Sequence, residues 1–202
     1  MSRSFCTEGP IDKERNYYVP RTELLAVGLK KVEEWRYFTL TAPRQSGKST
    51  YFQFLAEELL MPGSGILPLW LSFESFWQKT PETFLEAVKI QTDLRLAQYG
   101  RSERLSLPKD VDQLAESWRR LSEETGRDLV LVVDEMEGLQ NLPLLNAFLH
   151  TLRRTYHDRR NYRLRSVILV GVSNITGILQ STASPFNIAE QITIPYFTRE
   201  ET

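Results

Sequence analysis

The chain has 202 residues, a length typical of one domain with a small appendage, and its apolar and charged fractions of 41% and 25% exclude wholesale disorder. Its 25 basic and 26 acidic residues give a net charge of −1, which argues against nucleic-acid binding through bulk positive charge. The single cysteine, Cys6, and the two histidines, His150 and His157, exclude an intramolecular disulfide and a cysteine- or histidine-rich metal site.

No apolar run approaches the ~20 residues that span a bilayer. The first ten residues are polar and lack the apolar core of a signal sequence. We therefore predict a cytoplasmic protein without membrane contact.

Five short β-rich runs alternate with stretches of helical spacing. The runs are residues 37–42, 66–73, 129–133, 167–172 and 191–194, and three of them are almost entirely apolar. Helical spacing of apolar residues recurs over 111–121 and 145–156, and Thr80-Pro81 has the pattern of a helix cap. This alternation predicts an α/β three-layer sandwich around a central, mostly parallel five-stranded sheet.

A phosphate-binding loop is predicted directly after the first strand. Residues 42–49 match the P-loop pattern G-x-x-x-x-G-K-[ST], with alanine in the first glycine position, and helical spacing follows over 51–60. The glycine lets backbone N–H groups surround an anion, and the start of the next helix adds positive charge. Lysine suits the β- and γ-phosphates, and the serine hydroxyl suits Mg²⁺. The predicted nucleotide-binding residues are Pro43, Arg44, Gln45, Ser46, Gly47, Lys48, Ser49 and Thr50.

Polar residues follow two of the buried strands. Asp134 and Glu135 end the run over 129–133, and Asn174 comes just after the run over 167–172. The carboxyl ends of parallel strands form the ligand-binding edge of such a sheet. Asp134 is the predicted metal ligand, Glu135 the base that prepares water, and Asn174 a group near the γ-phosphate. The alternatives are solvated acids at a strand end and, for Asn174, a cap on the next segment.

Three segments of the chain resemble the bacterial AAA-like P-loop ATPases, relatives of the signal-transduction ATPases. They are Tyr-Tyr-Val-Pro-Arg at 17–21, the loop at 42–49, and Ser-Pro-Phe-Asn-Ile-Ala at 184–189 followed by Pro-Tyr-Phe-Thr at 195–198. The resemblance implies ATP and Mg²⁺ as ligands, Lys48 and Ser49 on the phosphates and the metal, and Asp134 with Glu135 as the Walker B acids. It also implies Asn174 as the first sensor, and a path near the adenine for Val19, Pro20 and Arg21.

The resemblance also predicts the domain organisation. Residues 1–16 are expected to form an N-terminal tail and residues 17–202 an AAA-like core. The T-x-x-E capping box at 198–201 announces a helix. We expect this sequence to be a fragment that lacks the family's C-terminal helical lid, and therefore to hydrolyse ATP slowly.

Two further clusters have competing interpretations. Six arginines lie within residues 150–165, where Arg159 and Arg160 are the candidates for an arginine finger; a nucleic-acid patch and a solvated helix end are the alternatives. Four aromatic residues are interpreted as core rather than as a stacking platform: Trp70, Phe73, Phe76 and Trp77.

The function predicted from these features is Mg²⁺-dependent binding and hydrolysis of ATP by a switch or motor module of a larger protein. The expected partners are ATP and ADP, together with a homo-oligomer or a C-terminal effector domain. Three alternatives remain: a non-hydrolysing nucleotide-binding scaffold, a small-molecule kinase, and an ATP-dependent nucleic-acid remodeller, for which nucleic acid is not the favoured partner.

Overall fold

The computed structural model describes residue 4 and residues 11–43, 46–171 and 190–197. Within these ranges, strands and helices alternate along the chain. The strands are β1 (Phe38–Thr41), β2 (Ile66–Ser72), β3 (Asp128–Asp134), β4 (Leu164–Gly171) and β5 (Glu190–Thr193). The longer helices are α1 (Thr22–Glu33), α2 (Lys48–Leu59), α3 (Pro81–Gln98), α4 (Leu114–Thr125) and α5 (Leu142–His157). Two short 3₁₀ turns cover Val111–Gln113 and Met136–Gly138.

The five strands form one parallel sheet in the order β2-β3-β4-β1-β5. All five predicted strands are present, and the predicted α/β fold with a five-stranded sheet is confirmed. Because every pairing is parallel, the carboxyl ends of β1 and β3 lie at the same edge. The P-loop and the two predicted acids follow those strands.

Side chains alternate across the sheet and build a separate core on each face. On β3, Leu129, Leu131 and Val133 pack with α3, α4 and α5, whereas Val130 and Val132 pack with α1 and α2. The unbroken apolar run of β3 therefore follows from burial on both faces.

The helix cap predicted at Thr80-Pro81 is present, whereas α2 begins earlier than predicted. The Thr80 side chain accepts a hydrogen bond from the Thr83 N–H, and Pro81 begins α3. The Asn141 side chain likewise accepts from the Leu144 N–H at the start of α5. The helical spacing after the P-loop was expected from residue 51, but α2 begins at Lys48 because Gly47 supplies the N-cap.

The aromatic cluster is a core element in all but one of its members. Phe73 and Phe76 are buried, with ring centroids 4.6 Å apart, and the half-buried Trp70 meets Phe52 edge-on. The core interpretation is wrong for Trp77, which is 56% exposed because it lies in the turn beyond β2 rather than on the strand. His150 and His157 are exposed on α5, as expected for helix-surface residues.

The segment before α1 packs along α2. The Gln53 side-chain amide donates to the Ile11 carbonyl at 3.0 Å, Lys13 pairs with Glu57, and the Tyr18 ring meets Phe54 edge-on. The division between tail and core at residue 16 stays a prediction. None of the helices in the described ranges has both the length and the apolar character needed to cross a membrane.

Candidate active site

The P-loop turns from β1 into α2 on a left-handed glycine. Gly47 has φ 81° and ψ 20° and is the N-cap of α2, a conformation that a residue with a Cβ rarely adopts. The buried Ser46 hydroxyl donates to the Pro43 carbonyl at 2.8 Å, which folds the loop back on itself. The side chain of Ser46 is thus used within the loop. The predicted nucleotide-binding residues Arg44 and Gln45 lie outside the described residues.

An ion pair joins the P-loop helix to the end of β3. The Lys48 Nζ donates to the Asp134 Oδ1 at 2.8 Å, and the same oxygen accepts a hydrogen bond from the Glu135 backbone N–H at 2.9 Å. Both side chains are largely shielded from water, with exposed fractions of 22% for Lys48 and 9% for Asp134. Two predicted site residues that lie 86 positions apart are therefore in direct contact.

Glu135 occupies a strained turn and a partly desolvated environment. Its backbone is left-handed, with φ 56° and ψ 44°, and it begins the turn Met136–Gly138. Partial burial, and next the neighbouring negative charge of Asp134, raise the pKa of the Glu135 carboxyl above its usual value. A carboxylate with a raised pKa is better suited to accept a proton from water.

Ser72, at the end of the neighbouring strand β2, holds the Glu135 side chain. The Ser72 hydroxyl donates to the Glu135 Oε2 at 3.1 Å, and this bond lowers the pKa of Glu135 against the effect of burial. Sequence reasoning missed Ser72, although its position at the end of an apolar strand was a usable signal.

The turn after Glu135 packs closely against the end of β2. A Cβ at Gly138 would lie 2.0 Å from the Phe73 carbonyl oxygen, so only glycine fits at this position. The Phe73 N–H in turn donates to the Asp134 carbonyl at 2.9 Å. These backbone contacts set the distance between the strand that carries Ser72 and the turn that carries Glu135.

An arginine–aromatic stack lies next to Gly47 of the P-loop. The Arg21 guanidinium lies over the Phe197 ring, 4.4 Å from its centroid, and a Cβ on Gly47 would be 3.0 Å from Phe197 Cζ. Two buried Arg21 nitrogens, Nε and Nη2, have no hydrogen-bond partner among the residues that the structure describes. The predicted residue Arg21 is thus beside the P-loop, and Phe197 is a site residue that its resemblance segment contained but that was not singled out.

With this geometry in place, comparison with known proteins decides the family. The sequence profile of the family described as AAA domain matches residues 34–179, more than half of the chain. The chain belongs to the AAA domain family. The resemblance to AAA-like P-loop ATPases drawn from the sequence is confirmed. No curated protein matches the chain significantly.

Solved structures share the fold of this AAA domain. The Aeropyrum pernix ORC2 protein in ADPNP and ADP complexes has a TM-score of 0.59 at 15% identity, over 92% of this chain and 50% of that one. The ORC1 protein of the same organism in complex with DNA has a TM-score of 0.55 at 16% identity, over 91% and 47%. Drosophila ORC bound to GC-rich DNA and Cdc6 has a TM-score of 0.56 at 14% identity, over 87% and 29%. The chain thus spans half or less of each of these proteins.

The donor set of the AAA domain fits a magnesium ion that a nucleotide carries. The described residues contain no group of three or more histidine, cysteine or acidic side chains able to enclose a metal. Mg²⁺ is commonly bound by one or two protein oxygens together with phosphate oxygens and water. Ser49, exposed in the first turn of α2, and Asp134, at the end of β3, offer a hydroxyl and a carboxylate of that kind.

For the remaining predicted site residues, the structure gives the position in the chain and the degree of burial. Val19 is half-buried and Pro20 exposed in the segment before α1, and Thr50 is half-buried in the first turn of α2. Their nucleotide contacts stay predictions. Asn174, the predicted sensor, lies outside the described residues.

Most of the arginines after residue 150 are bonded within the chain. Arg154 donates to the Asp112 carbonyl, Arg159 to the Tyr156 carbonyl at 2.9 Å, and both Arg163 and Arg165 contact Asp128. Arg160 is exposed. Of the two finger candidates, Arg159 is therefore held against its own chain, and Arg160 is the more accessible.

Proposed function

We propose that this AAA domain binds ATP with Mg²⁺ and hydrolyses it. The observation that carries the proposal is the 2.8 Å contact between Lys48 and Asp134 directly beside Glu135. It gathers a phosphate-binding cation, a metal-binding carboxylate and a proton acceptor at one edge of the sheet. The ADPNP and ADP in one of the similar structures belong to that protein and agree with this assignment.

Each residue has a distinct task in the proposed reaction. Lys48 exchanges Asp134 for the β- and γ-phosphates, joining the backbone N–H groups at the start of α2. Ser49 and Asp134 would hold Mg²⁺, which supplies neutralisation of phosphate charge when bound. Glu135 orients the attacking water and accepts its proton. Asn174 is the proposed sensor of the γ-phosphate.

The adenine of ATP is proposed to lie on the side of the P-loop where Arg21 and Phe197 stack. Arg21 has two buried donors to offer, and Phe197 presents an aromatic ring next to Gly47. Val19 and Pro20 precede Arg21 and are proposed to complete this surface. The preference for ATP follows from the family resemblance.

The domain is proposed to work as a switch or motor module. The aligned region covers half or less of each of these solved structures, so further domains or subunits are the expected recipients of the nucleotide signal. A neighbouring copy would supply an arginine finger, for which Arg160 is the more accessible candidate.

The proposal is tested by steady-state hydrolysis of ATP with Glu135→Gln. We expect turnover to fall by about a hundredfold or more, because general bases contribute that much, while ATP affinity is retained. Glu124→Gln, the same change at an exposed residue of α4, is the matched control. Equal turnover in the Glu135 and Glu124 variants would contradict the assigned base. Binding without any turnover in the unmodified protein would favour a nucleotide-binding scaffold, and phosphate transfer to added metabolites would favour a kinase.

DNA in two of the similar structures raises nucleic acid as a second ligand, although that DNA belongs to those proteins. Arg160 is an exposed member of the arginine cluster named above. A nucleic-acid remodeller predicts binding that weakens steeply with salt and on neutralising Arg159 and Arg160 together. Absence of binding, or binding insensitive to salt, would remove this second function.

A further inference from the structure

The end of β2 is fixed from outside the sheet by one glutamine. Among the strands that the structure describes, β2 lies at the edge and pairs with β3 alone, so one side of its backbone needs partners from elsewhere. At Ser72 both backbone groups are satisfied by the Gln91 side chain. Its Oε1 accepts from the Ser72 N–H at 2.7 Å, and its Nε2 donates to the Ser72 carbonyl at 2.9 Å. This side-chain amide replaces the missing neighbouring strand.

Gln91 itself is held by a rigid helix. It lies in the middle of α3, whose face toward the sheet is buried at Phe84, Leu85, Val88 and Leu96. Gln91 is half-buried and makes two short, complementary hydrogen bonds, so few other rotamers are open to it. The position of Ser72 relative to α3 is therefore fixed in two directions at once.

The hydroxyl of the same serine reaches Glu135. With the Ser72 backbone clamped, its Oγ donates to the Glu135 Oε2 at 3.1 Å. Glu135 sits in a left-handed turn and receives no such contact from Gln91 itself. The chain of hydrogen bonds runs from α3 through the edge of β2 to the carboxylate.

We infer that Gln91 is a positioning residue for Glu135, acting through the backbone of Ser72. The inference rests on the proposed hydrolysis of ATP, in which Glu135 prepares the water. Loss of the clamp leaves the end of β2 held on the β3 side alone and lets the Ser72 hydroxyl shift away from the carboxylate. The expected consequence is slower chemistry with unchanged nucleotide binding, since the Gln91 side chain bonds Ser72 of β2 and not Lys48.

The test is a double-mutant cycle in ATP hydrolysis, with kcat and KM measured separately. Gln91→Met removes both hydrogen bonds at nearly constant volume, and Ser72→Ala removes the hydroxyl. Gln98→Met is the matched control, since Gln98 is exposed at the end of α3 and its Oε1 accepts a hydrogen bond from Arg95 at 2.8 Å rather than from β2. Thermal unfolding of every variant checks that it folds.

We expect Gln91→Met to lower kcat about tenfold, the effect of one hydrogen bond to a charged group, with KM within about twofold. In the Ser72→Ala background the same change should have no further effect, because the route to Glu135 is already broken. Unchanged kcat for Gln91→Met, or an equal loss in both backgrounds, would overturn the inference. Should Gln91→Met fail to fold, Gln91→Glu keeps the acceptor for the Ser72 N–H and should lower kcat about threefold; unchanged kcat would overturn the inference here too.

A structural measurement separates this inference from the proposed function. Crystal structures of the unmodified protein and Gln91→Met should show the Ser72–Glu135 hydrogen bond present in the first and lost in the second. A bond retained in Gln91→Met overturns the inference whether or not ATP is hydrolysed. Absence of hydrolysis by the unmodified protein would instead contradict the proposed function. It would also contradict a role of Gln91 in hydrolysis.

Discussion

β3 begins and ends with an aspartate, and the two are held in different ways. Asp128 contacts two arginines, the Arg163 Nε at 3.1 Å and the Arg165 Nη1 at 3.6 Å. Arg165 also donates to the Val32 carbonyl at 3.1 Å, so its guanidinium is tied to α1 as well. Asp134, at the other end of the strand, pairs with the single ammonium group of Lys48.

The difference separates a structural pair from an exchangeable one. A guanidinium that bonds a carboxylate and a backbone carbonyl together cannot leave without losing both. An ammonium group is a point charge on a flexible stem and can exchange one anion for another. We therefore expect the Asp128 end of β3 to determine stability and the Asp134 end to determine function.

The largest effect is expected from Asp134→Asn. Loss of the proposed metal ligand should reduce Mg²⁺-dependent ATP hydrolysis about a thousandfold, because metal coordination contributes several kcal/mol to catalysis. The free energy of unfolding should fall by less than for Asp128→Asn, because Asp134 pairs with one flexible ammonium group and Asp128 with two guanidinium groups. Hydrolysis assays and urea unfolding measure the two quantities. A large loss of stability with little loss of turnover would reverse the assigned roles.

Asp128→Asn is expected to have the opposite profile. The substitution keeps one carbonyl oxygen but removes the charge that Arg163 and Arg165 share, and should lower the free energy of unfolding by about 2 kcal/mol. ATP affinity and kcat should stay as in the unmodified protein. A stability equal to that of the unmodified protein would show that the arginine contacts of Asp128 add nothing.

The smallest effect is a shift in the pH dependence that Ser72→Ala should cause. Burial and Asp134, with Glu74, raise the pKa of Glu135 above its usual value, while Ser72 and Lys48 lower it. Glu135 accepts a proton only when ionised, so kcat/KM should fall as pH decreases through this raised pKa. Removing the Ser72 hydrogen bond raises the pKa of Glu135 further, and the fall in kcat/KM should move to higher pH. An acidic limb of the kcat/KM profile that stays at the same pH in Ser72→Ala would contradict an effect of Ser72 on the pKa of Glu135.

Much of the fold followed from the sequence because each strand is an apolar run bounded by turn residues. β3 is the clearest case, since its burial on both faces leaves an unbroken apolar stretch ending in two acids. The start of α2 was placed late, because periodicity does not register a helix whose first residues are polar. Trp77 was misassigned because an aromatic residue beside a strand has no sequence signal for the turn it occupies.

The candidate site was predictable where its residues belong to a sequence motif. It was not predictable where folding brings together residues that are far apart in the sequence and belong to no motif. Lys48 and Asp134 were expected to meet because parallel strands share an edge. Ser72 and Gln91 belong to no motif, and Phe197 lies in a resemblance segment that gave it no role; all three enter the candidate site through contacts that only the folded chain supplies. The sequence does not distinguish Gln91 from the other polar residues of α3 as the one that faces the unpaired side of β2.

The most direct test of the proposed nucleotide site is isothermal titration with ATP and with ADP in the presence of Mg²⁺. We expect the unmodified protein to bind, and Lys48→Ala to lose about a hundredfold or more in affinity because the phosphates lose a charged hydrogen bond. Lys109→Ala, the same change at an exposed lysine, should bind as the unmodified protein does. Equal affinity of the Lys48 and Lys109 variants, or no binding by the unmodified protein, would contradict the assignment of this loop as a nucleotide site.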